Sequence, residues 1–78
     1  MAKGLKLISA FLGNTIKELR KKQSLSQEEL AERAGIHRTF MSHVECGTRN
    51  ITIYNLVKIA KALKVKPSIL LLDIDEIA

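Results

Sequence analysis

Arg38, Thr39, Ser42 and His43 fall on one side of a segment whose other side carries Ile36, Phe40, Met41 and Val44 at helical spacing. The first group combines a guanidinium fork, two hydroxyls and an imidazole, all of which hydrogen-bond base edges in a major groove. It has one formal positive charge and no acid, so the face suits a polyanion. Other chemistries lack their parts. His37, His43 and Cys46 are of zinc-binding type, but neither a fourth ligand nor a paired CxxC accompanies them. No general base with an orienting group stands by a Ser, Thr or Cys nucleophile, no carboxylate pair suggests hydrolysis, and no glycine loop cradles a phosphate. The expectation is a binding face without metal, cofactor or small-molecule substrate, and not an enzyme.

The flanking residues must position that face. Ser26 with Glu29 three residues on reads as a capping box, so a helix starts at Ser26 or Gln27 and runs through Leu30, Ala31 and Ala34. Gly35 can take a left-handed conformation and turn the chain into the next helix. After that helix, Cys46-Gly47-Thr48-Arg49-Asn50 forms a turn in which Thr48, Arg49 and Asn50 can reach phosphate oxygens. Upstream, Leu5, Ile8, Leu12, Ile16 and Leu19 predict an amphipathic helix to about Lys22, with Gly4 available as a cap. Gly13 inside it marks either a close helix contact or a later helix start. Downstream, Thr52 can cap a helix carrying Ile53, Leu56, Ile59, Ala60 and Leu63 inward and Lys58, Lys61 and Lys64 outward. Pro67 opens a short fifth helix to about Leu72, before an acidic stretch with Asp73, Asp75 and Glu76.

In this order and spacing the motifs resemble the helix-turn-helix DNA-binding domains of the phage-repressor and Xre type. The resemblance runs from Leu12 to Leu72. It rests on Gly13 with Ile16, Leu19 and Arg20, on SQEELAERAG, on the stretch Ile36 to Gly47, and on LVKIAKALKV followed by a leucine-rich turn. Within that family the short length and HRTFMSHVECGTRN look most similar to the controller proteins of restriction-modification systems. The resemblance implies an all-α, compact five-helix, lambda-repressor-like domain that binds a pseudo-palindromic double-stranded DNA operator as a homodimer. It also implies base reading by Arg38, Thr39, Ser42 and His43, backbone contacts from Gln27, Thr48, Arg49 and Asn50, and a partly buried pair between Arg20 and Glu45. Two residues depart from the usual pattern: Cys46 stands where a polar or charged residue is more common, and Ile51 where proline is often found. The alternatives are an antitoxin-like or phage-type repressor, or a helical protein-binding module, which would not need an acid-free face beside a basic loop.

Composition sets the outer limits. Seventy-eight residues give room for one domain, 1–78, whose core is marginal without a second subunit. Aromatics are 4% of the chain, which argues against base stacking as the binding mode. The net charge of +5 is segregated: residues 1–22 and 48–66 are basic, whereas 23–47 and 67–78 are acidic on balance. A single cysteine, no signal peptide and no membrane-length apolar run predict a cytoplasmic protein. The crowd of apolar residues near the C-terminus cannot all face one core, so Ile69, Leu70, Leu72 and Ile74 within residues 67–78 are the expected dimer contacts.

Overall fold

The structure, a computed structural model, describes residues 3–77; positions 1, 2 and 78 of the expected domain lie outside it. Among the described residues five helices follow one another: α1 (Lys3–Lys22), α2 (Gln27–Ala34), α3 (Arg38–Glu45), α4 (Ile53–Ala62) and α5 (Pro67–Leu70), then a 3-10 turn at Ile74–Glu76. No strand occurs among the described residues.

Each helix contributes its apolar stripe to one core. Ile16 of α1, Leu30 of α2, Met41 of α3, Ile59 of α4 and Leu70 of α5 are all completely buried, so removing any one would open a cavity shared by several helices. Within this core α1 lies on α3, α2 packs on both α3 and α4, and α5 closes against α4 and α1.

Gly13 proves to be a close-contact glycine inside α1, which begins well before it. A Cβ there would run into the backbone carbonyl oxygens of Val44 and Glu45, so its absence lets α1 press directly on the end of α3. The opposite side of that junction is Gly47, whose φ of +74° and whose Cβ position 2.7 Å from Ala10 Cα both exclude a side chain.

Four successive helices end in the same way. After α1, α2, α3 and α4 the chain passes through a left-handed residue, namely Ser24, Gly35, Gly47 and Lys64. In each case the next amide reaches back five residues: Leu25 to Arg20, Ile36 to Ala31, Thr48 to His43 and Val65 to Ala60, at 2.9–3.1 Å. This is the Schellman arrangement, and it satisfies carbonyls that the helix cannot. It also turns Leu25, Ile36 and Val65 toward the core. The starts of α2, α3 and α4 are capped by side chains, since Ser26, His37 and Thr52 each accept a backbone N–H of the first turn, whereas Lys66 before α5 makes no such bond.

Candidate nucleic-acid interface

The angle between α2 and α3 is set by chemistry at both ends of their short connection. Ser26 Oγ accepts from Glu29 N at 3.0 Å while Glu29 Oε1 accepts from Ser26 N at 2.8 Å, which fixes where α2 begins. Gly35, at φ +67°, ends α2. His37 then caps α3, its Nδ1 accepting from Thr39 N at 3.1 Å. An acceptor nitrogen carries no proton, so the cap needs His37 in a form unprotonated at Nδ1.

Arg20 of α1 and Glu45 at the end of α3 anchor this unit. Arg20 Nε donates to Glu45 Oε2 at 2.8 Å and Nη2 to Oε1 at 2.9 Å, a two-pronged pair. Arg20 Nη1 reaches Leu25 O at 2.9 Å and Gln27 Nε2 reaches Glu45 Oε1 at 3.1 Å. The hydrogen bonds that Arg20 donates to Glu45 hold its guanidinium above its ordinary pKa; the Coulomb attraction of the carboxylate adds to them and burial opposes both. A carboxylate at a helix C-terminus is disfavoured by the macrodipole, and Arg20 offsets it here.

With α3 seated in this way, Arg38, Thr39 and His43 are exposed and Ser42 is half-buried. Arg38, Thr39 and Ser42 join Gln27 and His37 around one open crevice between the two helices. His43 lies on the same helix but is not among the residues lining that crevice. Gln27, half-buried, is tied to Glu45 by its amide nitrogen, and that orientation is forced because a carboxylate can only accept.

In the loop after α3, Thr48 Oγ1 donates to His43 O at 3.2 Å. Its one hydroxyl proton is therefore committed to the helix end, which weakens Thr48 as a donor to phosphate. Arg49 and Asn50 are exposed. The Arg49 guanidinium sits 5.2 Å from the centroid of the Phe40 ring, close enough for a cation–π attraction that favours one placement of the side chain. Phe40 is thus only partly a core residue. This role carries no periodic signal, since Phe40 fits the apolar stripe equally well.

Glu28 also joins the surface. Its Oε1 lies 3.1 Å from Arg38 Nη1 across the turn. Sequence spacing could not show this, because the two residues sit on different helices.

The expected C-terminal contacts divide. Ile69 and Leu72 are 40% and 60% exposed, and Ile74 is half-buried. Leu70 is different: at 0% exposure it belongs to the monomer core, because the turn of α5 that points it inward turns Ile69 and Leu72 out. It cannot serve as a dimer contact. Ile69 and Leu72 instead flank a groove against α1, with Asn14, Glu18 and Lys22 on its far side.

The helix-turn-helix family matches residues 16–70. The chain belongs to that family. This helix-turn-helix domain is 43% identical over 65 residues to control protein C.BamHI of Bacillus amyloliquefaciens, a match covering 82% of this chain and 80% of that protein. It superposes on the restriction-modification controller protein C.AhdI from Aeromonas hydrophila with TM-score 0.78 and 39% identity, over 80% of this chain and 94% of that one. It is likewise similar to the controller protein C.Esp1396I, crystallised as a tetramer in complex with its natural 35 base-pair operator, with TM-score 0.76, 32% identity and coverage of 81% and 83%. The motif order that resembles Xre-type domains and, within them, controllers agrees with these relatives. No helix among the described residues is long and apolar enough to cross a membrane.

Proposed function

We propose that this chain is a sequence-specific transcriptional regulator of the controller type, which binds a pseudo-palindromic DNA operator as a homodimer in the cytoplasm. The observation that carries the reading is the α3 face: Arg38, Thr39, Ser42 and His43 stand together on a helix locked at its far end by the buried Arg20–Glu45 pair. The likeness to C.Esp1396I, a controller crystallised on its operator, supports it.

In this reading α3 enters the major groove and its four side chains select bases, Arg38 by a bidentate contact to guanine. Arg49 and Asn50, with Gln27 at the start of α2, hold phosphates and set the register. Thr48 contributes chiefly by capping α3. Two copies joined through Ile69, Leu72 and Ile74 would present two α3 helices about 34 Å apart, one turn of B-DNA. Occupancy of a promoter is then the regulatory act, and the protein is a binding protein rather than an enzyme.

Selection of bound duplexes from a random pool, followed by sequencing, tests the proposal. The expected product is a site with two related half-sites on one face of the duplex. A pool that shows salt-dependent binding with no enriched sequence would remove sequence recognition, and a pool that is not retained at all would remove DNA binding.

A further inference from the structure

The Glu28–Arg38 contact is unexpected on a surface that meets a polyanion. Glu28 is the second residue of α2 and Arg38 the first of α3, so the pair bridges the turn between the helices. Both side chains remain about two-thirds exposed, at 65% and 67%, and Nη1 meets Oε1 at 3.1 Å. An ion pair this exposed contributes little to folding. Its consequence lies in what it does to the guanidinium.

We propose that Glu28 is a positioning residue for base selection, holding the Arg38 guanidinium by Nη1 so that its Nε–Nη2 edge is presented to guanine while its own charge penalises phosphate in the same place. This rests on the reading of Arg38 as a base-contacting residue. A guanidinium has two edges that can make paired hydrogen bonds, and a carboxylate on Nη1 leaves the Nε and Nη2 donors for O6 and N7. An Arg without such a partner is a mobile cation that serves a phosphate as readily as a base. Glu28 works against that use, because a phosphate drawn to Arg38 would also approach a carboxylate. The pair therefore lowers affinity for all DNA and lowers it least where guanine is correctly placed, which is specificity gained by repelling the wrong partner. A competing role for Glu28 is simply that of an acid in the first turn of α2, favourable to the helix dipole. That role would affect thermal stability and leave base preference untouched.

The test uses Glu28→Gln, Arg38→Ala and the double variant of the full chain. Each is titrated against the selected operator, a variant operator changed at the guanine that Arg38 reads, and an unrelated duplex, at one fixed salt concentration. Glu28→Gln is expected to bind the unrelated duplex about two- to fivefold more tightly, since a negative charge is lost. Its preference for operator over variant operator should fall by about two- to fivefold, the scale of an exposed ion pair. In the Arg38→Ala background the same change should leave that preference where Arg38→Ala put it. An equal gain on all three DNAs would overturn the proposal, as would a lost preference that persists without Arg38. Should Arg38→Ala itself leave the preference intact, the base-reading assignment falls and this inference falls with it.

Discussion

Arg20 and Glu45 are joined by two parallel hydrogen bonds of 2.8 and 2.9 Å, with side chains only 12% and 2% exposed. One residue comes from α1 and the other from the last turn of α3, so the pair fixes the helix that carries the candidate base-reading face. Glu45 also holds Gln27 at 3.1 Å, which ties the start of α2 to the same carboxylate.

Loss of one partner should therefore be costly. Glu45→Ala would leave the Arg20 charge buried and unpaired, and is expected to destabilise the domain by about 3 kcal/mol. Arg20→Ala plus Glu45→Ala should cost less than the two single changes added. Urea unfolding of the three variants measures this; additive, small losses would show that the pair is energetically idle.

Gly13→Ala tests the close approach of α1 to α3. Alanine gains roughly 1 kcal/mol in helix propensity, yet its Cβ would meet the carbonyls of Val44 and Glu45, which are backbone and cannot swing aside. Overpacking costs about 1–3 kcal/mol, and a clash with two backbone carbonyls belongs at the upper end of that range, so the sum is a net loss and thermal unfolding should shift down by several degrees. A higher melting temperature would mean that the two helices can part freely.

The capping box gives a pH dependence. The Glu29 carboxyl is held below the ordinary glutamate range, first by the backbone N–H of Ser26, then by the Ser26 side chain, with Arg33 adding an attraction. A depressed folded-state pKa means that the contribution is present above the unfolded value, about 4.3, and fades as pH falls through the lower folded value. The stability difference between the unaltered chain and Glu29→Ala should thus be constant near neutrality and shrink below about pH 4.3. A difference that grows on acidification would contradict this sign.

Base and phosphate contacts should separate in mutants. Arg38→Ala is expected to cost about 1–3 kcal/mol at one operator position and to relax selection there. Arg49→Ala, whose guanidinium rests on Phe40, should weaken all sequences alike and reduce the salt dependence by about one charge. Binding titrations against a panel of single-base operator variants distinguish the two. Unchanged relative affinities in Arg38→Ala would refute the base-reading role.

Much of this fold is legible in the sequence because it rests on local rules. Ser26 with Glu29, Gly35, Thr52 and Pro67 mark helix limits through hydrogen bonds made within a few residues, and the apolar stripes name the core. Ser24 and Lys64 do not announce themselves, since neither is glycine and yet both take positive φ; what accompanies these ends is the apolar residue that follows, Leu25 or Val65, packed on the core. The site is legible in part. Which face of α3 is polar follows from the helical period alone, whereas Glu28 beside Arg38, Phe40 beneath Arg49 and the Thr48 hydroxyl on His43 O depend on how separate segments meet. Leu70 shows the same limit: four adjacent apolar residues require that some be exposed, but only the direction of the α5 turn decides which.

That direction makes the assembly question sharp. Leu70 and Leu72 are two residues apart, one fully buried and the other 60% exposed. Leu70→Asp would place a carboxylate in the core with no partner and should unfold the domain. Leu72→Asp puts the same charge on the surface, beside Ile69 and facing the α1 groove, where folding should be little affected. If the homodimer forms through this patch, Leu72→Asp should keep the helical circular dichroism signal and sediment as a monomer. It should also lose about a hundredfold or more in operator affinity, because two half-sites are no longer engaged together. If the patch merely finishes a monomer, the variant should match the unaltered chain in both mass and binding. Sedimentation of the unaltered chain at micromolar concentration gives the reference: a monomer that occupies a single half-site would exclude the dimer, and a dimer that survives Leu72→Asp would move the interface to another face.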